Sequence, residues 1–245
     1  MVTVTVLGSG DAFCSGGRNH AAYLVQAPGR TFLLDCGATI LHTLKRGGHD
    51  PAAIDFVVLS HLHGDHFAGV PFLFLDYRYE SRRRRPFTVY GPPETPRRVE
   101  QLFEALYAST ACEASPFGVE YRELAPGVPA SADGVEIVPM RVKHAEELVC
   151  LAFRITVAGK TIVYSGDCAW TDELVTLSQG ADLFICECTY FETRFDFHVS
   201  YPQIAERASA LGCKRLVLSH LGSEPLRRKS EISLECAEDG MVIRL

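Results

Sequence analysis

Several kinds of segment are missing from this sequence. No apolar run approaches the roughly 18 residues that a membrane helix needs, so no membrane partner is expected. The opening stretch, MVTVTVLGSG, alternates like a strand and lacks the basic flank and apolar block of a secretion signal. Positive charge is not in excess: 24 Lys and Arg face 30 Asp and Glu, for a formal net charge of −6. That excludes a global attraction to nucleic acid or an anionic membrane and leaves only local basic patches. The nine cysteines are odd in number and scattered, which reads as buried thiols of a reduced, cytoplasmic protein rather than a disulfide framework. Cys186 and Cys188 have no second pair at matching spacing, so they read as a thiol-packed core strand rather than a zinc ribbon. No low-complexity linker interrupts the chain, and residues 1–245 are expected to form one domain.

What is present is an ordinary globular composition, 47% hydrophobic and 22% charged. Apolar alternation predicts strands at Val2–Leu7, Ala21–Gln26, Thr31–Leu34, Phe56–Leu59, Phe87–Tyr90 and Val119–Leu124. Further strands are expected at Val135–Val142, Val149–Val157, Thr161–Tyr164, Asp182–Cys186, Arg215–Leu218 and Met241–Leu245. Helical spacing points to Thr39–Arg46, Ala68–Arg82, Glu94–Ala108, Trp170–Ser178 and Pro202–Leu211. Strands mixed with helices in both halves imply an α/β (α+β) architecture, with sheets covered by helices.

The phrase VLSHL occurs twice, at Val58–Leu62 and Val217–Leu221, and the related IVYSGD ends at Asp167. In each, an apolar strand delivers a metal-competent residue from its C-terminal end: His61, His220 or Asp167. This recurrence suggests two similar halves converging on one site. The first copy runs on as HLHGDH. In an extended segment residues two apart point the same way, so His61 and His63 can grip one ion. Gly64 permits a turn, after which Asp65 and His66 can grip another. His144 follows a strand in the same manner. Together with Asp167 and His220 these residues can form two sites for divalent metal ions sharing a carboxylate. Zinc is expected there, with manganese and iron also compatible with the donor set. His20, His42 and His49 lack such settings and read as surface or structural residues.

These motifs, in this order and over most of the chain, resemble the metallo-β-lactamase fold superfamily. The resemblance implies a four-layer αββα sandwich with two similar halves. It implies one metal on His61, His63 and His144, a second on Asp65, His66 and His220, and Asp167 between them. Cysteine usually stands at the position of Asp167 in the β-lactamases of this fold, so the aspartate favours another hydrolase. The neighbouring Cys168 is expected to support the site from behind rather than to ligate.

Residues 181–222 resemble the ribonuclease Z-like branch, as do LGSGDAF, GRNHAAYLV and FLLDCG near the start. That branch carries a glutamate after the corresponding strand and a His-x-Ser/Thr phrase opening a helix, here Glu187 and His198-Val199-Ser200. The expected catalytic residues are therefore Asp65, His198 and Glu187, with His198 protonating a leaving alkoxide and Glu187 orienting it. Ser200 also suits a plain helix cap. Two departures weigh against transfer-RNA processing. The long Gly/Pro-rich arm of ribonuclease Z is absent, since His144 and Asp167 are only 23 positions apart, and the ending after His220 reads GSEPLRRK. The expected substrate is thus a small-molecule or nucleotide phosphodiester, with RNA disfavoured. Hydrolysis of an ester, lactone or thioester at the same centre, or a non-catalytic metal-binding sensor, are the alternatives. The run Arg82–Arg85 reads as a solvated helix end, and the apolar helix before it is compatible with a homodimer contact.

Overall fold

The computed structural model describes residues 1–245. The first part of the chain forms β1 (Thr3–Gly8), β2 (Ala22–Ala27), β3 (Arg30–Leu34), α1 (Ile40–Arg46) and β4 (Phe56–Val58). It continues through α2 (Gly64–Phe67), α3 (Val70–Leu75), β5 (Phe87–Gly91), α4 (Thr95–Ala111) and β6 (Val119–Glu123). The second part holds β7 (Ala130–Ala132), β8 (Val135–Val142), β9 (Cys150–Val157), β10 (Lys160–Tyr164) and α5 (Glu173–Ser178). Then come β11 (Leu183–Glu187), α6 (Tyr201–Ala205), β12 (Leu216–Ser219), α7 (Ser223–Arg227), β13 (Glu235–Cys236) and β14 (Val242–Arg244).

The strands build two seven-stranded sheets, ordered β14-β1-β2-β3-β4-β5-β6 and β13-β12-β11-β10-β9-β8-β7. Each sheet begins as an antiparallel meander and turns parallel, at β3 in one and at β10 in the other. The two halves are therefore wound alike. Side-chain alternation sorts each strand between two cores. Phe32, Leu34, Phe56 and Val58 of the first sheet meet Ile162, Tyr164, Leu183 and Ile185 of the second in a central core. Leu33, Val57 and Leu59 face outward onto α1, α3 and α4. Val163, Phe184 and Leu218 face outward onto α5 and α6. This is the expected αββα sandwich. Each fully buried Phe or Leu contributes about 1.5–3 kcal/mol of transfer free energy toward it.

Several element boundaries differ from expectation. The helix expected over Ala68–Arg82 is α3, started by Pro71 in its first turn, followed by a single wide turn at Asp76–Glu80. The helix expected over Pro202–Leu211 stops at Ala205 and becomes one 3₁₀ turn at Ala208–Ala210. Short β7 and β13 carry too few residues for a periodic signal. The VLSHL repeat also marks non-equivalent strands. β4 is the first parallel strand after its meander, whereas β12 is the second after its own, and the counterpart of β4 is β11.

The Arg82–Arg85 run follows a helical turn and is solvated at Arg82, Arg84 and Arg85, but not at Arg83. Arg83 is buried, and its guanidinium donates to the carbonyls of Ala52, Ile54, Arg85 and Pro86 while lying 4.9 Å over the Tyr77 ring. Arg85 pairs with Asp55, and only Arg82 and Arg84 are left open to solvent without a partner. The connection from β9 to β10 is a tight two-residue turn, with Ala158 and Gly159 both left-handed (φ 47° and 74°), so no arm projects there. No helix is long and apolar enough to cross a membrane.

Candidate metal centre and active site

All nine sequence-selected site residues come together at the C-terminal ends of the parallel strands. The loop after β4 carries His61, His63, Asp65 and His66. Asp167 and His220 follow β10 and β12, His144 follows β8, and Glu187 is the last residue of β11. The loop after β4 is clamped from behind: a Cβ on Gly37 would sit 2.4 Å from the Asp65 carbonyl, so only glycine lets the backbones approach this closely.

His61, His63 and His144 converge. His61 Nε2 is 3.1 Å and His144 Nε2 is 3.0 Å from His63 Nδ1. The outer nitrogens fix the tautomers. The Ser60 hydroxyl donates to Asp35 and so accepts from His61 Nδ1–H, and His144 Nδ1–H donates to the Phe197 carbonyl. Both Nε2 lone pairs are thereby turned inward. Burial first, then neighbouring imidazoles, pushes all three rings below the usual histidine range, which leaves them neutral. Three neutral nitrogens facing one point are an electron-pair donor set, the form in which histidine binds a metal.

Asp65, His66, Asp167 and His220 form the neighbouring group. His66 Nε2 lies 3.3 Å from both Asp65 Oδ2 and Asp167 Oδ1, and His220 Nε2 is 3.3 Å from Asp65 Oδ2 and Asp167 Oδ2. Here burial lowers the two histidines, but the surrounding carboxylates outweigh it and raise them. The carboxylates would be raised by burial, yet the histidines hold both well below the usual range. His66 Nε2 and Asp167 Oδ1 are buried without a hydrogen-bond partner. Orphaned atoms of this kind in a wall otherwise satisfied mark a position for a cation. Every buried imidazole nitrogen facing away from the group is also spoken for, His66 Nδ1 by Asp35 at 2.7 Å and His220 Nδ1 by Thr189 at 2.9 Å. The donors of each group lie within 4.8 Å of one another, so both sets fit a divalent ion.

Beside them stands the pair expected to handle protons. His198 Nδ1 is 2.9 Å from Glu187 Oε1. Burial lowers His198, but the Glu187 charge and hydrogen bond win and raise it to about 9. Ser200 caps α6 in a reciprocal box with Gln203, so its local role is met. Cys168 touches this pair by its backbone N–H, 2.7 Å from Glu187 Oε1, and not by its thiol, which is buried in the outer core. His20, His42 and His49 belong to neither donor set.

Two residues escaped the sequence reading. Asp35 accepts from Ser60 N–H, Ser60 Oγ, His66 Nδ1 and Tyr164 Oη at 2.6–2.7 Å. Its place in FLLDCG, one residue beyond a buried strand, was the available signal. Thr189 donates its single hydroxyl proton to Glu187 Oε2 at 2.7 Å and accepts from His220 Nδ1–H, which ties the proton pair to the donor group. Threonine after a strand has too many uses to be singled out from sequence.

A family model described as Beta-lactamase superfamily domain matches residues 30–221. The uncharacterized protein Rv1339 of Mycobacterium tuberculosis is 32% identical over 235 residues, covering 90% of this chain and 81% of that protein. The crystal structure of the metallo-beta-lactamase fold protein YhfI from Bacillus subtilis matches with a TM-score of 0.79 and 27% identity, over 99% of this chain and 98% of that one. Human tRNase Z, short form, matches with a TM-score of 0.80 and 26% identity, again over 99% of this chain and 98% of that one.

Proposed function

Because the chain belongs to the beta-lactamase superfamily, whose hydrolase fold it shares with YhfI and tRNase Z, we propose that it is a dinuclear-metal phosphodiesterase acting on a small or nucleotide phosphodiester. In this reading His61, His63 and His144 hold one ion, Asp65, His66 and His220 the other, and Asp167 lies between them. Zinc suits the donors best. Bound ions supply Lewis acidity, polarising a phosphoryl oxygen and acidifying the attacking water.

The observation that carries the proposal is the Glu187–His198 pair, 2.9 Å apart, with Glu187 buried behind and His198 lining the same cavity as members of both donor sets. An alkoxide leaving phosphorus needs a proton as the bond breaks. Glu187 takes the Nδ1 proton of His198 as a hydrogen bond, which leaves the other ring nitrogen to deliver a proton toward the leaving oxygen. Thr189 holds Glu187 in that orientation. A leaving thiolate would need no such acid. The short β9–β10 turn and a cavity wall without Lys or Arg favour a small diester over RNA.

The test is hydrolysis of bis(p-nitrophenyl) phosphate by zinc- or manganese-loaded protein, beside an Asp65→Ala control. Turnover present in the first and lost in the second is the expected result. Two bound ions without turnover would reject phosphodiester chemistry in favour of an ester, lactone or thioester.

A further inference from the structure

The cavity over the donor groups has a volume of about 660 Å³, inside the size range of small-molecule sites. Its charge is one-sided. Apart from the donor groups and His198, the charged wall residues are Asp11, Glu146 and Glu147, with no Lys or Arg. A substrate with several phosphates finds nothing there to neutralise them, whereas a single diester carries one charge for the two ions.

The other side of the cavity is aromatic, formed by Phe13, Tyr190, Phe195 and Phe197. Phe13 is 85% exposed and Phe195 47%. Isolated exposed phenylalanines are common, but these two share one cavity with the proposed acid. The Phe195 ring lies nearly parallel to His198, with centroids 6.0 Å apart and planes at 21°. Tyr190 and Phe197 support it edge-on at 5.9 and 5.5 Å. Both loops are fixed. Glu224 accepts the backbone N–H groups of Phe191, Glu192 and Thr193, and His198 N–H donates back to the Phe195 carbonyl. Asp11 accepts from the N–H groups of Phe13 and Ser15. Exposed rings on hydrogen-bonded loops beside a phosphate-handling centre suit a planar base, because every nucleobase has a π-face to offer.

We propose that Phe13 and Phe195 form a base-stacking subsite, so that the substrate is of mononucleotide size and carries one nucleobase and one phosphodiester. The inference rests on the phosphodiesterase reading for its phosphate and on the aromatic wall for its base. Adenosine 5′-monophosphate and ribose 5-phosphate test it, since they share sugar and phosphate and differ by the base. Their affinities for the metal-loaded protein are measured by calorimetry and by competition against bis(p-nitrophenyl) phosphate hydrolysis. The nucleotide should bind about ten-fold tighter or more. Phe195→Ala should remove most of that ratio, Phe13→Ala part of it, and Phe195→Tyr should keep it. Equal affinities in the unaltered protein, or a ratio that survives both alanine variants, would overturn the subsite. Absence of phosphodiester turnover with the calorimetric ratio intact would overturn the catalytic reading and leave the subsite standing.

Discussion

Asp35 and Asp167 lie just beyond corresponding strands, one residue past the first and three past the second. Each follows the strand at which its sheet changes from antiparallel to parallel, β3 for the one and β10 for the other. Both are buried. Their surroundings differ in one respect, the supply of donors. Asp35 receives four hydrogen bonds, two of them from Ser60 and the others from His66 and Tyr164, and holds a left-handed backbone (φ 56°) to do so. Asp167 leaves Oδ1 without a partner and faces a cavity. A carboxylate whose lone pairs are consumed by hydrogen bonds is framework, and one that faces a cavity among imidazoles with an oxygen left unbonded is available for chemistry. Residue type and topological seat do not separate the two; the count of donors does.

The sharpest way to break this comparison is to remove each carboxylate. Asp35→Ala leaves His66, Tyr164 and Ser60 facing an empty buried space, and should cost about 3–5 kcal/mol in urea unfolding of metal-free protein. Asp167→Ala in the same measurement should cost less, about 1–3 kcal/mol, because it takes one of the carboxylates from beside His66 and His220 but also removes an oxygen with an unmet bond. Equal losses would dissolve the distinction. Next, His198→Ala should lower phosphodiester turnover about 100-fold or more while metal content, read by mass spectrometry, stays intact. Undiminished turnover would remove His198 from the chemistry.

Arg83 extends the comparison to a cation. Its guanidinium is spent on four carbonyls, so Arg83→Met should cost about 2–3 kcal/mol by leaving buried acceptors unmet. Exposed Arg84→Gln should stay within about 0.5 kcal/mol. Thr189 belongs to the framework although it touches the site. Thr189→Val should weaken metal affinity by about ten-fold or more, visible by calorimetry, with Thr189→Ser restoring most of it. A valine variant with unchanged affinity would show that His220 needs no partner behind it.

The donor sets were legible in the sequence because liganding places costly residues at strand ends. His61, His63, Asp65 and His66 crowd six positions after an apolar run, and His144, Asp167 and His220 each follow a strand within three residues. The central strands were legible for a related reason, as burial on both faces leaves a nearly unbroken apolar run in β4, β10 and β12. What was hidden depends on partners distant in sequence. Asp35 meets Tyr164 across 129 positions, and nothing local distinguishes it from a turn aspartate. Arg83 sits in a basic run that looks solvated until Ala52 and Ile54 present their carbonyls. The VLSHL repeat led to two halves, a correct conclusion, though its copies occupy strands of different rank. The similarity lies in the winding of the sheets.

β14 pairs with β1 in antiparallel register, Thr3 against Arg244, across nearly the whole chain. Leu221 N–H also donates to the Ser9 carbonyl beside the donor groups. During synthesis the first sheet therefore cannot reach its native complement of strands until β14 emerges. The edge of β1 stays open for that interval, and closing so long a loop is slow. The strand that shields β1 from pairing with a neighbouring nascent chain is made after every other strand of the two sheets.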